Sequence, residues 1–234
     1  MEILELFLSN YTLITIGLFA AVIYASIASV KVKTTFNKYN KISVSSRMAA
    51  CDVARQILDA NGLYDIQIVR VSGSLTDHYD PKKKIIALSE TVYGSSSVGA
   101  IGVAAHECGH AVQYAKEYTP IKLRTMFVPV VNICSKAWVW VFMIGCALGS
   151  LFMAEVGIVF FAVVVLFQLI TLPVEFNASS RAIKTLDESG ILYGEEIKGA
   201  KKVLKAAAMT YVSSLLVSVM QLLRLLSSTR RRRD

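Results

Sequence analysis

The chain contains 234 residues, of which 54% are hydrophobic and 18% are charged, and its formal net charge is +8 at pH 7. The mean hydropathy is +0.52, and the apolar residues are concentrated in a few long runs. This composition excludes an intrinsically disordered chain and argues against a purely soluble protein.

The first apolar run, residues 11–30, is expected to be an uncleaved membrane anchor. No charge falls between Glu5 and Lys31, and about 20 apolar residues are enough to cross a bilayer. Basic residues follow this run directly, and such flanks stay in the cytoplasm. They are Lys31, Lys33, Lys38, Lys41 and Arg47. The pattern predicts an external N-terminus and a cytoplasmic segment from residue 31 to about residue 125.

The segment after the anchor is predicted to form a small α+β unit. Its hydrophobic spacing and turn residues predict a helix, a strand, a turn, a second strand and a second helix. These cover residues 45–60, 66–71, 76–81, 84–88 and about 98–116 in turn. Asn61-Gly62 is expected to end the first helix, and the serines at 95–97 are expected to cap the second.

The second helix of this unit carries the sequence His106-Glu107-Cys108-Gly109-His110. Residues four apart lie on one helix face, so both imidazoles can reach one metal ion. Glu107 is displaced around the helix, where a carboxylate can take a proton from a zinc-bound water. Gly109 costs about 1 kcal/mol inside a helix, which predicts a close approach by a neighbour or a substrate.

A longer apolar block, from Phe127 to Val174, is predicted to form two antiparallel membrane helices. These are residues 128–152 and 156–174, with a short turn near Glu155 and Gly157. In this topology the second helix returns to the cytoplasmic side, which is also the side predicted for the two histidines.

Two histidines and a water leave tetrahedral zinc one protein ligand short. Glu175 is the first candidate for the third ligand, because it lies at the predicted cytoplasmic end of the second helix of the hairpin. His78, the third histidine of the chain, is the alternative. His78 is also a candidate for a donor to the oxyanion that forms during hydrolysis, or for a surface residue without a role in the site.

The last apolar segment, residues 206–227, contains serines and Arg224 and is followed by Arg230–Arg233. A membrane-embedded helix is favoured, but crossing would put these arginines outside, against the positive-inside bias. The alternative is a helix in the interface, with the basic tail on anionic lipid headgroups. The basic residues are not interleaved with aromatic residues on a soluble face, so no nucleic-acid partner is expected. The four cysteines form no Cys-x-x-Cys pair and are expected to be free thiols.

The chain resembles the bacterial YugP-like zinc-dependent membrane peptidases. The likeness rests on HECGH preceded by IGVAAH, on LTDHYDP, and on TLPVEFNAS followed by Arg181-Ala182, and it extends over nearly the whole chain. The sequence is more distantly similar to the HtpX and CAAX-prenyl-protease class. These resemblances imply His106, His110 and Glu175 as ligands of one Zn²⁺ per chain and Glu107 as the general base.

One feature of the HtpX class is missing from the chain. In that class an aspartate four residues after the ligand glutamate orients a histidine, and here this position is Ser179. Ser179 or Asn177 is expected to replace it through a weaker hydrogen bond. Arg181 is a candidate for neutralising a substrate carboxylate or the oxyanion, and equally for a basic anchor on the cytoplasmic flank.

The expected fold is a mainly α membrane protein, with three or four membrane helices and a small cytoplasmic α+β metallopeptidase domain. The chain divides into an anchor, a zinc-peptidase domain, a transmembrane hairpin, a cytoplasmic segment that begins with the third ligand, and a C-terminal membrane-embedded helix with a basic tail. These parts are residues 1–30, 31–126, 127–174, 175–205 and 206–234.

The expected function is a zinc endopeptidase of the bacterial inner membrane, a multi-pass protein whose active site faces the cytoplasm. Its substrates would be membrane or membrane-proximal proteins, with the predicted strand 84–88 pairing with an extended substrate chain. A partner protein is compatible with this but is not identified by the sequence. The alternative is a non-catalytic membrane adaptor or chaperone that retains a structural zinc site.

Overall fold

The computed structural model describes the backbone of residues 2–230 and the side chains of residues 11–229. The described chain is mainly helical, with four candidate membrane-spanning helices and one small sheet. In chain order the elements are α1 (Glu2–Tyr39), α2 (Ala50–Ala60), β1 (Gln67–Val71), β2 (His78–Asp80), β3 (Ile85–Ser89), α3 (Val98–Ala115), α4 (Thr119–Ala147), α5 (Leu151–Glu188) and α6 (Glu195–Arg230).

The chain forms two compact units, and each long helix contributes to both of them. The first unit contains the segments up to Ala28, from Leu123 to Leu172 and from Thr210 onward. The second contains Ser29–Lys122 and Pro173–Met209. All three candidate zinc ligands belong to the second unit.

The second unit contains a three-stranded sheet in the order β1-β3-β2. β3 pairs parallel with β1 and antiparallel with β2. The two strands predicted from the sequence are confirmed as β1 and β3. The prediction of a turn over residues 76–81 is wrong, because His78–Asp80 form the edge strand β2.

The turn lies after β2, where the Asp80 carboxylate accepts hydrogen bonds from the backbone N–H groups of Lys82 and Lys83. Asp77 holds the other end of β2, since it accepts from both the backbone N–H and the hydroxyl of Ser89. These contacts anchor a strand that is too short to show an alternating pattern in the sequence.

The expectation that residues 84–88 pair with a substrate is wrong, because β3 is the central strand. Its backbone groups bond to β1 on one side and to β2 on the other. Substrate pairing with this sheet would have to use an outer strand, and β2 is the one that packs against α3 through the ring contact of Tyr79 with Tyr114.

Helices α2 and α3 pack on each other in the core of this unit. α2 starts at Ala50 and not at residue 45, because Arg47 has a φ of 53°, outside the helical region. The Ser45 N–H and hydroxyl both donate to the Glu196 carboxylate. It ends as predicted, with Gly62 at a φ of 72° just beyond it. Ser97 caps α3, as predicted, by accepting from the Ala100 N–H.

The first unit consists of helical segments with large apolar side chains on their outer surfaces. Among the described residues, four helices are long and apolar enough to cross a membrane: Tyr11–Tyr39, Thr119–Ala147, Leu151–Glu188 and Glu195–Thr229. Large exposed side chains include Phe19, Trp140 and Phe152. Surfaces of this kind are stable in lipid and would be costly in water.

The predicted position of the turn within the apolar block is wrong. α4 ends at Ala147 and α5 begins at Leu151, with Gly149 at a φ of 66° between them. Glycine adopts this left-handed conformation without steric cost, and helices end there by preference. Gly157 lies inside α5, where an added Cβ would meet the Phe142 nitrogen of α4 at 2.7 Å. Close helix packing is therefore the reason for this glycine.

The segment 206–227 lies inside α6, which is continuous from Glu195 to Arg230. Its length and composition fit a membrane span. The Arg230 side chain and residues 231–234 lie outside the described residues, so the contact of the basic tail with lipid stays a prediction. All four cysteines are free, as expected.

Candidate metal centre

Helices α3 and α5 bring His106, His110 and Glu175 together. The Glu175 Oε2 atom lies 3.3 Å from the Nε2 atom of His106 and 3.5 Å from the Nε2 atom of His110. The three candidate ligand atoms all lie within 4.8 Å of one another. His110 and Glu175 are buried, and His106 is half-buried.

This spacing fits zinc. In a tetrahedral site with zinc–ligand bonds of about 2.0–2.1 Å, neighbouring ligand atoms lie about 3.3–3.4 Å apart. The two distances from Glu175 match that edge length closely. Two imidazoles and one carboxylate form a ligand set known for catalytic zinc, with one position left for water or substrate.

Glu107 follows His106 on α3 and is buried, with 8% of its surface exposed. Within the part of the chain that the structure describes, its carboxylate has no hydrogen-bond or ion-pair partner. A buried carboxylate without a structural partner is available to accept a proton from a water molecule beside the ligand cluster.

Each of the two candidate ligand histidines has a polar side chain at its other ring nitrogen. The Ser179 hydroxyl lies 3.1 Å from Nδ1 of His106, at the position where the HtpX class has an aspartate. The Gln113 side chain lies 3.0 Å from Nδ1 of His110 through its Oε1 atom. Outer partners of this kind hold ligand rings in the orientation that a metal requires.

Sequence reasoning did not find Gln113. It lies three residues after His110 and seven after His106, so it falls on the face of α3 that carries the ligands. That spacing was the available signal. Its Nε2 atom donates to the Val174 carbonyl at 2.8 Å and to Asn177 Oδ1 at 3.0 Å.

Asn177 does not contact His106 or His110 through any hydrogen bond found among the described residues. Its Oδ1 atom accepts from Gln113 and from Arg181 Nε, the latter at 2.7 Å. Asn177 therefore reaches the ligand cluster only through Gln113.

His78 does not belong to the ligand cluster. It lies on β2 beside Tyr79, whose ring contacts Tyr114 of α3. Successive residues of a strand point to opposite faces, so His78 lies on the face away from this contact. Its side chain is exposed, and its Nδ1 atom lies 2.9 Å from the Thr76 carbonyl oxygen.

Arg181 borders a separate cavity of about 450 Å³ beside α3. Gly109 and Val112 line it from α3, Lys116 lines it from just beyond the end of α3, and Lys184 lines it from α5, whereas the three candidate ligands do not. The Arg181 Nε atom donates to Asn177 Oδ1, and whether Arg181 binds an anionic group stays a prediction.

The environment of His110 controls its proton affinity. Burial alone would lower the pKa of His110, but the neighbouring carboxylates of Glu175 and Glu107 raise it above its ordinary value. A proton therefore competes with a metal ion for this imidazole at mildly acidic pH.

Comparisons with known proteins place this chain in a family. Residues 13–230 match the model of a family described as "putative neutral zinc metallopeptidase". The "putative membrane protease YugP" of Bacillus subtilis (strain 168) is 49% identical over 197 residues, which are 84% of this chain and 88% of that protein. No solved structure matches the chain.

Proposed function

We propose that this chain, which belongs to the neutral zinc metallopeptidase family, is a membrane-integrated endopeptidase that cuts membrane or membrane-proximal proteins. The observation that carries the proposal is the cluster of His106, His110 and Glu175 with the unpartnered Glu107 carboxylate beside it. Three protein ligands leave one coordination position free, which a catalytic zinc site needs and a structural site does not.

In this proposal His106, His110 and Glu175 hold one Zn²⁺ per chain. Zinc would polarise the scissile carbonyl and lower the pKa of the attacking water. Glu107 accepts the proton as the water attacks the carbonyl carbon, and then transfers it to the nitrogen of the leaving amine. The burial of Glu107 and of the ligands keeps bulk water from competing for these contacts.

The proposed location is the bacterial inner membrane, with the active site on the cytoplasmic side. Support comes from the basic residues that follow the first span and from the rule that such flanks remain inside. Exposed Ser74 provides a test, because a Ser74→Cys variant should react with a membrane-impermeant maleimide in inverted vesicles. Reaction in intact spheroplasts instead would reverse the topology.

A non-catalytic adaptor with a structural zinc is the second candidate function. The observation that favours it is Ser179, which contacts His106 where the HtpX class has a stronger carboxylate partner. The enzyme is favoured by a cluster of three candidate ligands and not four, and by a Glu107 carboxylate without a hydrogen-bond partner among the described residues.

A Glu107→Gln variant separates the two functions. Loss of a general base typically lowers the rate by about 100- to 10,000-fold, whereas zinc binding does not need this side chain. The detergent-purified variant should hold as much zinc as the wild type and lose cleavage of labelled casein or of a membrane-anchored model substrate. Glu117→Gln makes the same change at an exposed carboxylate and should remain active.

Cleavage at the wild-type rate by Glu107→Gln would remove the proposed role of this residue. Zinc binding by the wild type, without cleavage of any substrate tested, would instead support the adaptor. The proposed substrate class is tested by a further comparison. A membrane-anchored copy of one cleavage sequence should be cleaved faster than a soluble copy of the same sequence.

A further inference from the structure

We propose that Gln113 is a positioning residue that fixes the proton of His110 on Nδ1 and so directs the Nε2 lone pair toward the metal. The proposal rests on the proposed zinc site, and it assigns the outer partner of His110 that sequence motifs left open. Gln113 does not contact the reacting atoms in this scheme and acts only through His110.

The geometry is a chain of four hydrogen-bonded side chains. Arg181 Nε lies 2.7 Å from Asn177 Oδ1, which lies 3.0 Å from Gln113 Nε2. Gln113 Oε1 then lies 3.0 Å from His110 Nδ1. Gln113 is completely buried, so water does not replace its hydrogen bonds to His110, Val174 and Asn177.

The direction of these hydrogen bonds is fixed by two groups, one of which can only donate and the other of which can only accept. The Arg181 Nε–H can only donate, so the Asn177 atom that faces it must be an oxygen. The Val174 carbonyl can only accept, so the Gln113 atom that faces it at 2.8 Å must be the NH₂ group. Both constraints agree on one orientation of the Gln113 amide.

The orientation of Gln113 determines the state of His110. With its NH₂ group directed to Val174 and Asn177, Gln113 presents only its oxygen to the imidazole. His110 Nδ1 must therefore carry a proton and donate it. In a neutral ring the Nε2 atom is then unprotonated, and this is the atom that faces Glu175 at 3.5 Å.

The same contacts link the two helices that supply the ligands. Gln113 belongs to α3, and its two acceptors, Val174 and Asn177, flank the ligand Glu175 on α5. One amide thus sets both the ring of His110 and the position of the helix segment that carries the third ligand. Loss of an outer partner of a ligand histidine typically weakens metal binding by about 10- to 100-fold.

The first experiment measures zinc affinity by chelator competition for the wild type and for Gln113→Leu. The leucine has nearly the same size and no hydrogen-bonding atoms, and we expect about 10- to 100-fold weaker binding. Gln67→Leu makes the same change at an exposed position of β1 and should leave the affinity unchanged. Size-exclusion profiles and helical content would show whether each variant is folded.

A second pair of variants tests the direction of the hydrogen bonds between Arg181, Asn177 and Gln113, even if Gln113→Leu fails to fold. Asn177→Asp keeps an acceptor toward both Arg181 and Gln113, so zinc affinity should be retained. If Asn177 instead donated to Gln113, the aspartate would place acceptor against acceptor and weaken binding. Ser180→Asp adds the same charge at an exposed neighbouring position and corrects for the electrostatic effect.

A spectroscopic signature completes the test. The chain has only three histidines, so ¹⁵N-histidine labelling gives a simple spectrum. In the zinc-loaded wild type, the His110 Nδ1 proton should exchange slowly with solvent, and Gln113→Leu should abolish this protection. Unchanged zinc affinity and unchanged proton exchange in Gln113→Leu would overturn the positioning role of Gln113. The proposed zinc peptidase function would not be affected. Failure of the wild type to bind zinc would instead overturn the proposed function.

Discussion

Gly109 of α3 lies against the backbone of Ala178 on α5, and a Cβ at Gly109 would meet the Ala178 oxygen at 2.7 Å. The close approach predicted for this glycine is confirmed, with a neighbouring helix as its cause. His106 and His110 flank the contact on one side and Glu175 precedes it on the other. The close helix approach therefore sets the separation between the histidines and the carboxylate.

Gly109→Ala should disturb the ligand cluster. Alanine favours the helix by about 1 kcal/mol, but forcing a methyl group against backbone typically costs about 1–3 kcal/mol. We expect a lower melting temperature and weaker zinc binding, measured by thermal unfolding in detergent and by chelator competition. Gly102→Ala on the same helix is the control, because its Cβ would meet Ala200 at an ordinary 3.4 Å. Equal behaviour of the two variants would contradict this explanation.

Glu175→Ala should remove most of the bound zinc. The variant leaves only the two histidines as candidate ligands. Loss of a ligand should weaken zinc binding by more than the factor of about 10 to 100 that follows from loss of an outer hydrogen-bond partner. Metal analysis of the purified protein should give about one zinc per wild-type chain and much less for the variant. Glu188→Ala changes an exposed carboxylate of the same helix and should keep its zinc.

The outcome for Glu175→Ala also decides between the two candidate third ligands. Full retention of zinc would exclude Glu175 as a necessary ligand and would leave His78 as the candidate for the third ligand. The position of His78 on the far face of β2 makes that result unexpected.

The sequence predicted the parts of the fold that have strong local signals. The family resemblance, the apolar helices, the two strands and the cap of α3 at Ser97 all follow from motifs or from hydrophobic periodicity, and they are confirmed. The sequence also identifies Glu175 as a candidate, although 65 positions separate it from His110. The topology argument supplied that link, since both residues were expected on one side of the membrane.

The errors came from contacts that no local pattern records. β2 has three residues and is held by Asp77 and by pairing to β3, so its sequence resembles a turn. The sequence predicts the bend after α4 at the wrong glycine, because Gly149 and Gly157 look alike in sequence and only Gly149 has a positive φ. Gln113 gained significance only when α5 placed Val174 and Asn177 beside it.

Asp77 should contribute a characteristic pH dependence to stability. Burial raises the pKa of Asp77 above its ordinary value, although the hydrogen bonds from Ser89 oppose this. The folded state therefore binds this proton more tightly than the unfolded state, and folding is favoured as the pH falls. The effect should appear between neutral pH and the ordinary aspartate pKa of about 3.9.

Comparing Asp77→Asn with the wild type isolates this contribution. The difference between their melting temperatures should favour the variant near neutral pH and shrink as the solution becomes more acidic. Asp65→Asn should show the opposite trend, because the hydrogen bond from Lys84 lowers the pKa of Asp65. Parallel pH curves for Asp77→Asn and the wild type would refute the assignment.

The two cysteines of the second unit should differ sharply in reactivity. Cys108 is fully buried beside the candidate ligand histidines, and burial raises the pKa of its thiol. Cys51 is partly exposed, and burial and the charge of Asp52 raise the pKa of its thiol less. Because the thiolate is the reactive form, maleimide at neutral pH should label Cys51 slowly and leave Cys108 unmodified. In denaturant both should react, as peptide mapping by mass spectrometry would measure. If Cys108 in the folded protein is labelled as fast as Cys51, α3 must separate from α2 on the timescale of the reaction. The cluster of candidate ligands would then be less rigid than its packing implies.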